Sequence, residues 1–448
     1  MNDNMNENMN EFLLFYFNIQ NIDLMILTKN ISKLETLINQ FNFYNNKHKY
    51  LSLSCIFGSF LGDSMGSFCE FSRPSNINHL NIFQFEDGIF APGEVTDDSE
   101  MAMAAAFSYM DCPNKNYNNI QDLLYYYFCI WKNSKPKDIG KTISTALENW
   151  KPSQQVYHTS FNDKIKNYVH KINNYSLANG FLMRISTFIV FYYYTNYKDI
   201  CLGIQSIFEN ETESDITNEL FYLYLDILID YYKNIEITHP NPENGIVAAI
   251  FVIMTLTGMI RNNPKDILLI FKKIIYSSKM NNYEQDTKFK NIVKNVQNKL
   301  IQIMNDIEYN KYINVFDSMG YYLHAFKLCL YFLYKYRDIK LSDKPNIYYN
   351  IISEICDFGG DTDTNSAIVG TMIGPLIGYK NFGEKYFSRF FNFIPNERTE
   401  FISSFMVIYV DFLEKKYFNK EEKYNNNSNY NYCTFNHLCD FFFKDLNI

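Results

Sequence analysis

Apolar residues recur at i, i+3, i+4 and i+7 through most of this chain, and that period dictates helices. It is clear in "ISKLETLINQFNFY", "IQDLLYYYFCIW", "ITNELFYLYLDILIDYY", "FKNIVKNVQNKLIQIMNDI" and "YYLHAFKLCLYFLYKY". No segment alternates apolar and polar residues as a half-buried strand does. Helix breakers are scarce as well. The 448 residues include 17 glycines and 11 prolines, where average usage gives roughly 31 and 22. The expected class is therefore all-α. The expected division is one domain over residues 49–415, an N-terminal extension over 1–48 with one helix, and a C-terminal extension over 416–448. The last contains the low-complexity stretch "EEKYNNNSNYNY".

Several function classes are excluded early. Apolar residues make up 47% and aromatic residues 18% of the chain, too much for global disorder. The net charge is −8 and the lysines are scattered among acids, so no basic face for nucleic acid is expected. Nine cysteines without a CxxC pair give neither a disulfide framework nor a zinc pattern, which suits a reducing compartment. The N-terminus "MNDNMNENMNEFLLFYFN" has acids where a signal peptide needs positive charge. No stretch is read as reaching the roughly 18 apolar residues of a membrane helix, and "SAIVGTMIGPLIGY" comes nearest. A soluble, cytoplasmic monomer without membrane or nucleic-acid partners is the expectation.

The glycines are unevenly placed. Eleven of the seventeen are Gly58, Gly62, Gly66, Gly88, Gly93, Gly359, Gly360, Gly370, Gly374, Gly378 and Gly383. Gly58, Gly62 and Gly66 repeat at i, i+4, i+8, as do Gly370, Gly374 and Gly378. On a helix each set makes one bare stripe. Each glycine costs a helix interior up to ~1 kcal/mol relative to Ala, so the stripes need a compensating role. Either another backbone or a ligand must come close there. Pro375 interrupts the second stripe and is expected to kink it.

Three short runs carry the chemistry: "GSFLGDSMGSFCEF" with Asp63 and Glu70, "GEVTDDSEMAMAAA" with Thr96, Asp97 and Asp98, and "DFGGDTDTNSAIVG" with Asp361, Asp363 and Thr364. Two readings stand for the last two. In the first, both are ordinary acidic helix starts. Asp97 caps one helix with Glu100 completing a capping-box-like pair, and Asp361 or Asp363 caps the other. In the second, the runs are two halves of one binuclear Mg²⁺ site, because hard divalent cations take carboxylate, hydroxyl and water oxygens. Asp97 and Asp98 would then serve or bridge two ions, and Asp361 and Asp363 would close the other side. Such a pair of ions orients a diol or phosphate and activates water, which leaves phosphate and glycoside hydrolysis both open.

The runs "GSFLGDSMGSFCEF", "TDDSEMAMA", "LANGFLMRIS", "THPNP" and "GGDTDTNSAIVGTMIGPLIGY", in this order over about residues 53–383, resemble the ADP-ribosylglycohydrolase family. That family includes the dinitrogenase reductase-activating glycohydrolases and the arginine- and serine-directed ADP-ribosylhydrolases. The resemblance implies an orthogonal multi-helix bundle with two Mg²⁺ ions held by Thr96, Asp97, Asp98, Asp361, Asp363 and Thr364. It implies a mobile gating acid at Glu70, as in the serine-directed members, which leans towards serine- or O-linked substrates, and ligand contacts from Ser176, Asn179, Gly180 and His239. Asp63 and Ser67 are placed with the substrate-binding residues. Gly359 and Gly360 are expected to let the third run approach the ligand. The implied reaction is hydrolysis of the bond between ADP-ribose and a serine, arginine or related side chain of a modified protein. Catalytic roles fall on Glu70 and on whichever of Asp97 and Asp98 is less engaged by the ions, since a carboxylate bound by two cations is a poor base.

Some features fit that pattern less well. Ala178 and Leu177 stand where serine-directed members tend to have a glycine and an aromatic. An insert containing "FENETESDITNE" precedes His239. Asn179–Gly180 is also a turn signal, Arg184 reads as an internal ion-pair partner, and His158 and His170 read as surface residues. Two other functions remain compatible with the residues: a di-Mg²⁺ nucleotide phosphohydrolase, and a non-catalytic ADP-ribose reader or structural protein.

Overall fold

The computed structural model describes residues 46–74, 90–111, 117–149, 160–210, 215–282, 287–383 and 402–418. Its helices are α1 (Lys47–Gly66), α2 (Asp97–Asp111), α3 (Tyr117–Asn133), α4 (Lys141–Ala146), α5 (Asp163–Asn173), α6 (Ile185–Thr195), α7 (Tyr197–Glu209) and α8 (Asn218–Ile235). They continue as α9 (Pro242–Arg261), α10 (Pro264–Tyr276), α11 (Lys279–Asn282), α12 (Thr287–Glu308), α13 (Tyr322–Lys335), α14 (Ile347–Phe358), α15 (Thr362–Ile377) and α16 (Ile402–Leu413). Among the described residues there is no strand, only the isolated bridges Ser72–Gly360 and Ala178–Tyr321. The all-α expectation holds. The helix expected in "ISKLETLINQFNFY" lies outside the described residues.

Local chemistry sets the helix ends. The Thr217 side chain accepts from Leu220 N to open α8, as Asn241 does from Glu243 N for α9. Asn263 does the same from Lys265 N for α10. Pro242 and Pro264 occupy first-turn positions, where a missing N–H costs nothing and the fixed φ suits the helix. Asn262 closes α9 in the left-handed region at φ 52°, so the chain turns a tight corner into α10. The apolar period then chooses the buried face. In α12, Phe289, Val293, Val296, Leu300, Ile303, Met304 and Ile307 are buried, all on one side of the helix.

The buried helix α9 corrects one sequence expectation. Its 20 residues are long and apolar enough to cross a membrane, with a mean hydropathy of 1.7 in the best window. "SAIVGTMIGPLIGY" is thus not the nearest candidate. That window is 94% buried inside the protein, so its apolar surface is covered by the core and not by lipid.

The glycine stripes meet each other. A Cβ added to Gly58 would lie 2.3 Å from the carbonyl oxygen of Gly370, and one on Gly370 would lie 2.0 Å from that of Gly58. Gly374 faces Ser54 O at 2.1 Å, Gly62 faces Ser366 O at 2.4 Å, and Gly66 faces Thr362 O at 2.3 Å. Numbers rise along α1 as they fall along α15, so the two helices run antiparallel with their backbones in contact. Of the two roles left open for the stripes, helix packing is the one they have. Tyr348 Oη donates to Gly58 O, and Thr362 Oγ1 donates to Gly66 O at 2.7 Å. Gly378 does not belong to the stripe. It ends α15 at φ 80°, and Ser366 takes the stripe position four residues before Gly370. Pro375 sits in the last turn of a helix that continues to Ile377. This packing carries a consequence for function. It sets the end of α1, with Asp63 and the chain leading to Glu70, beside the start of α15, with Asp363 and Thr364.

Candidate active site

The first turn of α2 has N–H groups without helical partners, and a residue from another helix satisfies them. Asp63 accepts from Thr96 N at 3.1 Å, Thr96 Oγ1 at 2.8 Å and Ser99 N at 3.2 Å, and also from the Ser99 hydroxyl. Asp63 therefore does the capping that the sequence assigns to Asp97. The Glu100 carboxylate accepts the Trp131 indole N–H at 2.7 Å. Burial pushes the Asp63 carboxyl up to about 6, and these hydrogen bonds pull against that shift. With the cap supplied from α1, Asp97 and Asp98 are free of helix duty.

The other acids gather around them. Asp98 Oδ2 accepts from Thr364 Oγ1 at 3.3 Å, whereas its buried Oδ1 has no hydrogen-bond partner. Asp361 holds the N-cap position of α15 without capping it, and accepts instead from Asn179 Nδ2 at 2.7 Å. Asp363 Oδ1 accepts from Thr364 N at 2.8 Å. Carboxylate oxygens of Asp63, Asp98 and Asp363 lie within 4.8 Å of one another, and so do those of Glu70, Asp138 and Asp363. The two acid runs, about 265 residues apart in sequence, are thus one cluster, and the reading of both as plain helix starts falls away.

Asp138 is the member that sequence reasoning misses. It lies in "KPKDIGK" between α3 and α4, where an acid among Pro and Gly is an ordinary turn signal, and nothing sets it apart.

The electrostatics follow from burial without a counter-charge. Burial first, then the charges of Asp361, Asp138 and Asp63, raise Glu70 to about 8. Asp97, Asp98 and Asp363 are held well above the ordinary carboxylate range, by burial first and then by neighbouring acids. Groups with raised folded-state values bind more protons when folded than when unfolded, so they stabilise the fold at low pH and lose that contribution as pH rises. With chelator present, the unfolding midpoint should therefore fall between pH 4 and pH 8, the window set by Asp63 at about 6 and Glu70 at about 8. Mg²⁺ should shrink that fall. Stability that climbs over this window in chelator would mean that the cluster already has a counter-charge.

The segment bearing Glu70 is clamped to the third run. Phe71 N donates to Gly360 O at 2.7 Å, and Gly360 N donates to Ser72 O at 3.0 Å. This explains Gly359 and Gly360, whose φ values are 71° and 83°. A Cβ on Gly359 would lie 2.5 Å from Ser72 O, and one on Gly360 would lie 2.8 Å from Val315 O. Their bareness admits neighbouring chain, where the sequence reading expects a ligand.

An open cleft of about 310 Å³ lies over the cluster. Glu70, Asp97, Asp361, Asp363, Thr364, Asn179, Gly180 and His239 reach its wall, together with Asp138. Among the described residues, Lys141 is the one Lys or Arg on that wall. Asp63, Thr96, Asp98, Ser67, Ser176, Gly359 and Gly360 stand off it. Ser67 Oγ donates to Ser64 O at 3.1 Å. Ser176 Oγ pairs with Thr142 Oγ1 at 3.2 Å, so it braces a wall residue from behind.

Gly180 is bare because His239 packs on it, with His239 Cε1 2.9 Å from where a Cβ would sit. Arg184 is fully buried and bonds neutral oxygens of Gly180, Asn234 and Thr238, which replaces the expected ion pair. His170 is half-buried and bonds Glu236 at 2.9 Å, so it is no free surface residue. His158 lies outside the described residues.

Comparison with known proteins agrees with this geometry. The family model described as ADP-ribosylglycohydrolase matches residues 47–403. A protein of Acanthamoeba polyphaga mimivirus that bears the name ADP-ribosyl glycohydrolase is 27% identical over 342 residues, covering 74% of this chain and 88% of the relative. Among solved structures, an ADP-ribosylglycohydrolase-related protein complex superposes with a TM-score of 0.51 at 13% identity, covering 82% of this chain and 98% of that one. At that identity the structural likeness speaks for the fold.

Proposed function

Since the chain belongs to the ADP-ribosylglycohydrolase family, and is thereby a hydrolase of ADP-ribose conjugates, we propose that it is Mg²⁺-dependent and releases ADP-ribose from a protein side chain. Two observations carry the metal: carboxylate oxygens of Asp63, Asp98 and Asp363 lie within 4.8 Å of one another, and the buried Oδ1 of Asp98 has no hydrogen-bond partner among the described residues. A buried carboxylate oxygen without a partner is costly, and an all-oxygen donor set suits a hard divalent cation. Thr96, Asp97, Asp98, Asp361, Asp363 and Thr364 are the residues to hold two ions. Thr96 Oγ1 gives its proton to Asp63 and accepts from Asp98 N at 3.4 Å, which leaves one lone pair for a cation. When bound there, Mg²⁺ neutralises the acids and polarises ligand hydroxyls.

The remaining steps belong to the chain's own residues. Asn179 fixes Asp361, and Asp63 fixes the start of α2, so the acids are positioned before any ligand arrives. Cleavage at an anomeric carbon passes through an oxocarbenium-like state, which surrounding carboxylates stabilise. Glu70 is the carboxylate best placed to move a proton. It reaches the cleft, and it belongs to none of the six positions reserved for cations. Its raised value suits proton transfer near neutral pH. Lys141, on the same wall, supplies positive charge for a diphosphate.

Asp138, on the same wall, favours a cationic leaving group, because a hydrogen bond between ions is the stronger kind, and this outweighs the lean towards serine-linked substrates that the Glu70 match implies. That points to arginine-linked over serine-linked ADP-ribose. The test is release of free ADP-ribose from matched arginine- and serine-linked peptides, with Mg²⁺ and with chelator. Chelator-sensitive release, faster from the arginine-linked peptide, is expected. Asp138→Asn should slow the arginine-linked reaction about tenfold, the worth of one hydrogen bond to a charged group, and leave the serine-linked one nearly unchanged. Binding of ADP-ribose without release from either peptide would instead make the protein a reader.

A further inference from the structure

The His239 side chain is fully buried, lines the cleft, and has an Nε2 atom without a partner. Its other nitrogen is wired into the core. Nδ1 lies 2.8 Å from Thr238 Oγ1, and Arg184 Nη2 lies 2.8 Å from the same hydroxyl. A guanidinium only donates, so Thr238 Oγ1 accepts from Arg184. The hydroxyl has one proton of its own, and His239 Nδ1 is its only acceptor among the described residues. Nδ1 must then be the unprotonated nitrogen. The neutral ring carries its proton on Nε2, which has no protein acceptor among the described residues.

We propose that Arg184 and Thr238 are positioning residues that lock His239 in its Nε2–H tautomer, making it a neutral donor aimed into the cleft at an acceptor oxygen of the ligand. Neutrality has independent support: burial, and then the Arg184 charge, hold His239 well below the ordinary imidazole range. A doubly protonated ring would also leave the Thr238 hydroxyl without an acceptor. The arrangement turns a residue type that usually switches charge near neutral pH into a fixed donor. Arg184 is itself anchored by Asn234 Oδ1 at 2.8 Å and Gly180 O at 2.9 Å. Its grip on Gly180 joins the donor to the wall residue on which His239 packs. The identity of the acceptor rests on the function proposed above, where a phosphate or ribose oxygen of ADP-ribose fills the role. The tautomer does not rest on it.

The experiment is a ¹⁵N imidazole spectrum of the full chain, with the His239 signals assigned by their loss in His239→Gln. Without ligand, His239 should show a protonated Nε2 and a bare Nδ1. Added ADP-ribose should then shift the Nε2–H signal. Thr238→Ser should keep this signature, and Thr238→Val should lose it. His239→Ala should raise KM about tenfold, the worth of one hydrogen bond, with kcat nearly unchanged, and His239→Gln should restore part of the loss through its side-chain N–H. A ligand-free spectrum with Nδ1 protonated, or with both nitrogens protonated, overturns the lock. An Nε2–H signal that ADP-ribose leaves unmoved overturns its role as donor. If the ligand-free tautomer is as stated and no peptide releases ADP-ribose, the reaction assignment fails while the lock stands.

Discussion

Asp363→Asn should abolish Mg²⁺ binding and activity together, whereas Glu70→Gln should keep the metal and lose only rate. The difference follows from where the two acids sit. Asp363 is buried at the start of α15, and its oxygens belong to both acid groups, one with Asp63 and Asp98 and one with Glu70 and Asp138. Neutralising it removes charge from both. Glu70 is half-buried on the 67–74 segment and touches only the outer group. Its loss removes a proton carrier, which costs on the order of 10²–10⁴ in kcat. The two variants can be separated by measuring Mg²⁺ affinity and turnover on the same preparations. If Asp363→Asn retains full activity, the metal assignment is wrong. If Glu70→Gln loses the metal, Glu70 is a ligand and the proton carrier lies elsewhere.

Gly370→Ala should cost about 3 kcal/mol of stability or more, the upper end of overpacking, despite the ~1 kcal/mol that alanine gains over glycine in a helix. The added methyl would lie 2.0 Å from Gly58 O, and the obstacle is backbone on a facing helix, which no side-chain rotation can clear. To relieve it, α1 and α15 must separate. Separation also moves Asp63 and Glu70 away from Asp363, so activity should fall in the surviving folded fraction. Gly140→Ala is the control for stability. The nearest atom to its added Cβ is Ile143 Cδ1 at 3.9 Å. Urea unfolding of both variants should show a large loss for Gly370→Ala and little change for Gly140→Ala. Equal midpoints for the two would mean that the helices do not need bare contact.

The parts legible in the sequence are those with a local cause. The period in "FKNIVKNVQNKLIQIMNDI" specifies both α12 and its buried face. The two acid runs announce a shared site, because two Thr/Asp-rich helix starts of the same kind are hard to explain separately. The illegible parts depend on partners far along the chain. Asp63 reads only as a ligand-site acid, yet it also caps α2, a contact across 33 residues that no local pattern encodes. Asp138 has no motif, and only folding brings its loop to Glu70. Gly359 and Gly360 read as room for a ligand because a sequence shows that space is needed and not what fills it. Arg184 was expected to find an acid. Its carbonyl, hydroxyl and amide partners are available only because α6, α8 and the Asn179–Phe181 turn converge.

Packing of α1 on α15 brings the acids into one cage, and the cage is proposed to require Mg²⁺. Calorimetric titration of Mg²⁺ into chelator-treated protein tests it most directly, with the unfolding midpoint followed on the same samples. Saturable binding of two ions with a rise in midpoint is expected, with both effects lost in Asp363→Asn. No binding heat and no change in midpoint, in protein that still releases ADP-ribose under chelator, would contradict it.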